Sequence, residues 1–123
     1  MENIAINKIS LGKQAENLAC HYLQKKGFSL LQANYLCNQG EIDLVMKDND
    51  QLVFVEVRYR KNNHFGSGAE TVDSRKQRKL ISAANHYLTT NKKHHSACRF
   101  DVISISGKLC QENIHWINNA FTD

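Results

Sequence analysis

Proline is missing altogether. Average usage would place about six prolines in 123 residues, so proline-rich linkers and proline-based recognition motifs are excluded. Long apolar runs are missing too: none approaches the ~18 residues of a membrane span, and no membrane partner is expected. Glu2, Asn3 and Asn7 among the first residues argue against a secretory signal, so the expected compartment is the cytoplasm. Paired cysteines are also lacking. Cys20, Cys37, Cys98 and Cys110 are 17, 61 and 12 residues apart, which fits no Cys-x-x-Cys zinc or redox pattern. They are expected to be reduced thiols, several of them buried as small hydrophobes. His94-His95 lies in a polar stretch beside Lys92 and Lys93, and no histidine is at ligand spacing from a cysteine. A structural zinc site is not expected.

What remains is a chain of one ordinary domain, expected to span 1–123 with its core at about 10–117. It is long enough to bury roughly two-thirds of its unfolded surface without disulfides. Hydrophobic residues make up 41% and charged residues 23%, the balance of a soluble globular protein.

The net charge of +4 is unevenly spread. Residues 1–57 hold five Lys/Arg against seven Asp/Glu, and residues 58–79 hold seven against two. The basic block is Arg58, Arg60, Lys61, Arg75, Lys76, Arg78 and Lys79. A block of this kind suits a phosphate-rich partner, nucleic acid and above all DNA. It equally suits a solvated surface.

Leu11, Ala15, Leu18, Ala19, Tyr22 and Leu23 recur at helical spacing. With Ser10 as N-cap and Gly27 as C′ residue they predict a helix over 11–26. Strands are predicted at 28–35, 41–47, 52–59, 99–106 and 109–117. A second helix is expected from Asp73 or Ser74, with Ser74 and Gln77 as a capping box. Residues 60–69 and 90–96 read as loops, the first carrying Phe65-Gly66 as a segment able to touch DNA. The order α-β-β-β-α-β-β predicts a single α/β domain, a mixed five-stranded sheet flanked by helices.

Two charges interrupt the predicted central hairpin, Asp43 within Ile42-Asp43-Leu44-Val45 and Glu56 within Val53-Phe54-Val55-Glu56-Val57. Carboxylates are rarely buried without a partner. A two-residue Asn49-Asp50 turn would set Asp43 opposite Glu56 and Glu41 opposite Arg58. One face would then carry Glu41, Asp43, Glu56 and Arg58, and the other an unbroken Ile42, Leu44, Met46, Val53, Val55 and Val57. Facing like charges destabilise a sheet unless a cation lies between them. A divalent ion such as Mg²⁺ takes one or two carboxylates with water and phosphate, which suggests metal-assisted phosphodiester hydrolysis. An ion-pair network with Arg58 and its neighbours would also compensate these charges. Asp101, two residues from Arg99, reads as a structural ion pair, and Trp116 as a core-closing or edge-covering side chain.

Gly40-Glu41-Ile42-Asp43-Leu44-Val45, Val53 to Arg60, Phe65-Gly66, Arg75 to Leu80 and Arg99 to Ile103 resemble the YraN-like family of uncharacterised bacterial proteins. Leu11 to Ala19 resembles its first helix. The family is similar to the restriction-endonuclease-like superfold and, within it, to archaeal Holliday junction resolvases. The resemblance implies a restriction-endonuclease-like core and a catalytic set of Glu16, Asp43, Glu56 and Arg58. It implies Mg²⁺ or Mn²⁺ held by Asp43, Glu56 and the Val57 backbone carbonyl, and a possible homodimer. Arg58 stands where the superfold usually has lysine. Arginine supplies charge and grips phosphate, yet cannot act as a base. Glu41 is left to pair with Arg58 or Arg60. Nucleic acid would be gripped by Arg60, Lys61, Arg75, Lys76, Arg78 and Lys79, the last four near a helix N-terminus that favours anions. The expected function is a nuclease-like protein, a metal-dependent DNA endonuclease acting on branched or other DNA structures. The alternatives are a catalytically weak or inactive DNA-binding module and a protein-interaction domain.

Overall fold

The computed structural model describes residues 9–61, 72–93 and 96–122. Expectations that fall on Glu2, Asn3, Asn7, residues 62–69 and His94-His95 lie outside the described residues.

Helix α1, Leu11–Lys25, begins where the sequence predicts. The Ser10 hydroxyl accepts the Lys13 N–H at 3.1 Å, satisfying one of the first turn's free donors. The chain leaves the helix through Gly27 at φ 100°, a conformation glycine adopts without penalty. Strands β1 (Ser29–Cys37), β2 (Gly40–Asp48) and β3 (Gln51–Arg60) follow as an antiparallel meander. Helix α2, Ser74–Thr90, carries the chain to β4 (Cys98–Ser106), which runs parallel to β3. A parallel neighbour requires such a crossover. A 3₁₀ turn (Gln111–Asn113) precedes β5 (Ile114–Phe121), antiparallel to β4. The sheet order is β1-β2-β3-β4-β5, the mixed five-stranded sheet expected.

Alternation along the strands divides the core in two. Leu52, Phe54, Phe100 and Val102 pack with Leu80, Ala83, Ala84 and Tyr87 of α2. Val53, Val55, Ile103 and Ile105 pack with Ala15, Ala19 and Leu23 of α1. A helix thus covers each face, and β3 is buried on both, as its apolar run requires. Trp116 closes the α1 side, meeting Tyr22 and Phe28 edge to face.

Several boundaries differ from expectation. The cap of α2 is Asp73, whose carboxylate accepts the Lys76 N–H at 2.9 Å. Gln77 turns its amide to the Val72 carbonyl instead of forming a box with Ser74. The helix runs on through Thr90, and β1 extends two residues past Tyr35. Residues 109–113 are not strand. The Asn113 amide donates to the Lys108 carbonyl at 2.8 Å, which closes a turn and delays β5. All four cysteines are free thiols, but only Cys20 is buried. Ile42 also departs from strict alternation, packing with Val45 on the α2 side while Leu44 and Met46 face α1. The switch falls at Asp43, between the Tyr35–Ile42 and Ala33–Leu44 pairs of β1 and β2. There Asn34 holds φ 53°, a left-handed conformation that asparagine tolerates better than other non-glycine residues.

Candidate active site

The β2–β3 register is that of a two-residue Asn49-Asp50 turn: Asp48 pairs with Gln51, and the ladder continues to Leu44 opposite Val55. The next position brings Asp43 beside Glu56. Here the ladder gives way to a side chain, as Asp43 Oδ2 accepts the Val57 N–H at 2.8 Å. The hairpin opens into a cleft of about 410 Å³ lined by Gly12, Ala15, Glu16, Asp43, Glu56, Val57, Arg58 and Tyr59. The four residues expected to be catalytic therefore meet in one place. Val57 lines it as well, and its N–H is engaged by Asp43.

Three carboxylates in a half-buried cleft make a demanding electrostatic site. Burial pushes the Asp43 carboxyl up to about 8; the Glu56 charge and, less strongly, Glu16 add to the rise, and the Val57 hydrogen bond opposes it. Glu56, with only 7% of its side chain exposed, is met by two cations. Arg58 Nη1 and Lys76 Nζ each lie 3.5 Å from the same oxygen, Oε2.

Glu16 reaches the cleft from α1. Its Oε1 accepts from Asn34 Nδ2 at 3.0 Å and from Lys13 Nζ at 3.2 Å, and Lys13 also donates to Asn34 Oδ1. The same Asn34 amide reaches Glu41 Oε2 at 3.4 Å. Glu41 is therefore held by Asn34 rather than by Arg58 or Arg60. Nothing in the sequence around Asn34 announces this role except the residue type, which suits a left-handed backbone and offers a donor and an acceptor together.

The basic block divides. Lys76 comes into the site; Arg75, Arg78, Lys79 and Lys61 are exposed, and Arg60 is half-buried. At the N-terminus of α2 the Asp73 carboxylate already takes the Lys76 N–H. Asp101 is the structural ion pair expected. Arg99 Nε and Nη2 donate to its two oxygens at 2.9 and 3.2 Å.

A divalent ion would find only oxygen donors among the acidic side chains here, as Mg²⁺ and Mn²⁺ prefer. Among the described residues, no three or more His, Cys, Asp or Glu side chains are grouped to enclose a metal. An ion held here would have Asp43 and Glu56 as its side-chain ligands and would need backbone oxygen, water or substrate for the rest.

Residues 15–105 match the uncharacterised protein family UPF0102. The chain belongs to that family. It is similar to a UPF0102 protein of Nitrosococcus oceani, 50% identical over 111 residues, covering 89% of this chain and 90% of that protein. A UPF0102 protein of Pseudomonas fluorescens is 48% identical over 111 residues, 89% of this chain and 91% of that one. A third, from Stutzerimonas stutzeri, is 47% identical over 115 residues, 91% and 94% respectively. The resemblance to an uncharacterised bacterial family is thus borne out. The UPF0102 match takes in Glu16, Asp43, Glu56, Arg58 and Lys76, and every residue lining the cleft except Gly12 lies within it. No helix among the described residues is long and apolar enough to cross a membrane.

Proposed function

We propose that this protein is a nuclease-like DNA-binding protein that hydrolyses phosphodiesters with Mg²⁺ or Mn²⁺. One observation carries the reading: Asp43 and Glu56 converge where the β2–β3 hairpin opens into a cleft flanked by Arg58 and Lys76. Asp43, Glu56 and the backbone at Val57 would hold the ion. When bound, it would polarise the phosphoryl oxygen and lower the pKa of an attacking water. Arg58 presents a fixed positive charge to the phosphate and suits the charge that develops on its oxygens. Glu16, oriented by Asn34 and Lys13, accepts a hydrogen bond at the cleft wall and orients water there. Arg60, Lys61, Arg75, Arg78 and Lys79 hold the nucleic-acid backbone, a contribution that weakens with salt.

The test is cleavage of duplex, single-stranded and four-way branched DNA with Mn²⁺. Wild-type protein should cleave at least one substrate, and Asp43→Ala and Glu56→Ala should each abolish cleavage. Wild-type protein inert on the whole panel defeats the catalytic reading. A second reading, a DNA-binding module without turnover, is favoured by one feature: Arg58 and Lys76 already provide Glu56 with positive charge. It predicts salt-sensitive DNA binding that persists in EDTA.

A further inference from the structure

We propose that Lys76 is the cation this site brings to the reacting phosphate, held in reserve on Glu56 until the cleft is filled. The inference rests on the phosphodiester reading above.

Lys76 is the one member of the helix-borne basic block that forms an ion pair with a cleft carboxylate among the described residues. Its position is unusual for a lysine. It sits in the first turn of α2, where a positive charge opposes the helix dipole, so its benefit must come from a partner outside the helix. That partner is Glu56 Oε2, at 3.5 Å. Its backbone is fixed as well, since the Lys76 N–H donates to the Asp73 cap at 2.9 Å. One turn further on, the Lys79 carbonyl lies against Gly40, where an added Cβ would stand 3.5 Å from it. The start of α2 is therefore fixed against the start of β2, three residues before Asp43. A flexible four-carbon stem on a fixed base gives the ammonium reach without loss of position.

Arg58 and Lys76 share one carboxylate oxygen but arrive from different elements. Arg58 lies in the sheet beside Glu56, and its charge is part of the cleft wall. Lys76 comes from outside, with 40% of its side chain exposed. When Glu56 is engaged in ligation, its attraction for a second cation falls and the ammonium is released. The anion then nearest to it is the phosphate in the cleft. Lys76 thus acts as counter-ion to Glu56 in the empty cleft and as phosphate ligand in the filled one. Its contribution is positive charge at a fixed place, not proton transfer.

The experiment compares wild type, Lys76→Met, Lys76→Arg and Lys79→Met in two assays. Calorimetric Mn²⁺ titration without DNA should show Lys76→Met binding several-fold more tightly, because a competing cation has left a buried carboxylate. In single-turnover cleavage at saturating DNA, Lys76→Met should be slower by about 100-fold, the scale of losing one charge-stabilising group. Lys76→Arg should recover most of that rate. Lys79→Met, one helical turn away, should lose DNA affinity and salt dependence. Unchanged Mn²⁺ affinity together with a wild-type saturated rate in Lys76→Met would overturn the inference while leaving the proposed reaction intact. Wild-type protein that cleaves none of the DNA panel would overturn the reaction itself, and this inference with it.

Discussion

Asp43 and Asp101 are both aspartates within strands of the sheet, and both take a backbone N–H from a neighbouring strand, Asp43 from Val57 and Asp101 from Asn119. Their remaining surroundings differ. Asp101 is 1% exposed, and the chain answers both of its oxygens. Arg99 binds it twice, the Trp116 indole N–H donates to Oδ2 at 3.0 Å, and Asn119 donates to Oδ1 at 2.8 Å. Arg99 is in turn held by Gln51 and Asp48, and the Asp101 hydrogen bonds hold its guanidinium above its ordinary value. Asp43 has one N–H and two carboxylates for neighbours, at the rim of an open cleft. A carboxylate that serves the fold is compensated by the chain around it. Among the described residues the chain gives Asp43 no such set of donors, which is what the proposed metal ligation requires.

The comparison fails most visibly if Asp101 proves dispensable. Asp101→Ala leaves Arg99, whose side chain is only 15% exposed, with only Gln51 and the more distant Asp48, and leaves the Trp116 and Asn119 donors without their acceptor. Removing one partner of a buried pair costs about 3–5 kcal/mol, so urea unfolding should show a loss of that size. A loss below about 1 kcal/mol would show that the network is surplus to the fold.

Asp43 should respond in the opposite direction. Its folded-state pKa lies above the unfolded value, about 8 against 3.8, so the folded protein keeps a proton that the unfolded chain releases. The associated stability is fully present below pH 3.8 and is lost as the pH rises through about 8. Asp43→Asn has no such loss. In EDTA its advantage over wild type should be absent at acid pH and grow as the pH rises from about 4 to about 8, a melting-temperature gain of several degrees by calorimetry. A difference that does not change with pH would mean that Asp43 is compensated as fully as Asp101.

Most of this contrast was legible in the sequence. Two acidic residues in apolar strands, joined by a turn short enough to fix the register, placed Asp43 beside Glu56 before any coordinates were needed. Arg99 two residues from Asp101 announced the ion pair. The cap at Ser10 and the exit at Gly27 followed from local chemistry alone. Other features depend on tertiary reach, which spacing does not encode. The helix cap moved from Ser74 to Asp73 because both residue types cap well and packing selected between them. The start of β5 moved because Asn113 closes a turn on Lys108. Lys76 was visible as a base but not as the partner of Glu56, since its approach depends on where α2 docks.

Asn34 was the least legible part of the site, and its effect on stability is expected to be the smallest. It holds φ 53° and bridges Glu16, Lys13 and Glu41, so it combines a backbone role with a side-chain role that two substitutions can separate. Asn34→Gly removes the amide and keeps the left-handed backbone at no steric cost. Asn34→Ala removes the amide and adds a Cβ that this conformation disfavours by roughly 1 kcal/mol. The glycine variant should therefore lie within about 0.5 kcal/mol of wild type, and the alanine variant about 1 kcal/mol below the glycine one. Both should slow Mn²⁺-dependent cleavage alike, since both take away one of the two donors that hold Glu16. Equal stability of the two variants would show that the switch in strand alternation at Asp43 does not depend on Asn34. Cleavage unchanged in both would show that Glu16 needs no positioning by Asn34 and that Lys13 suffices to hold it.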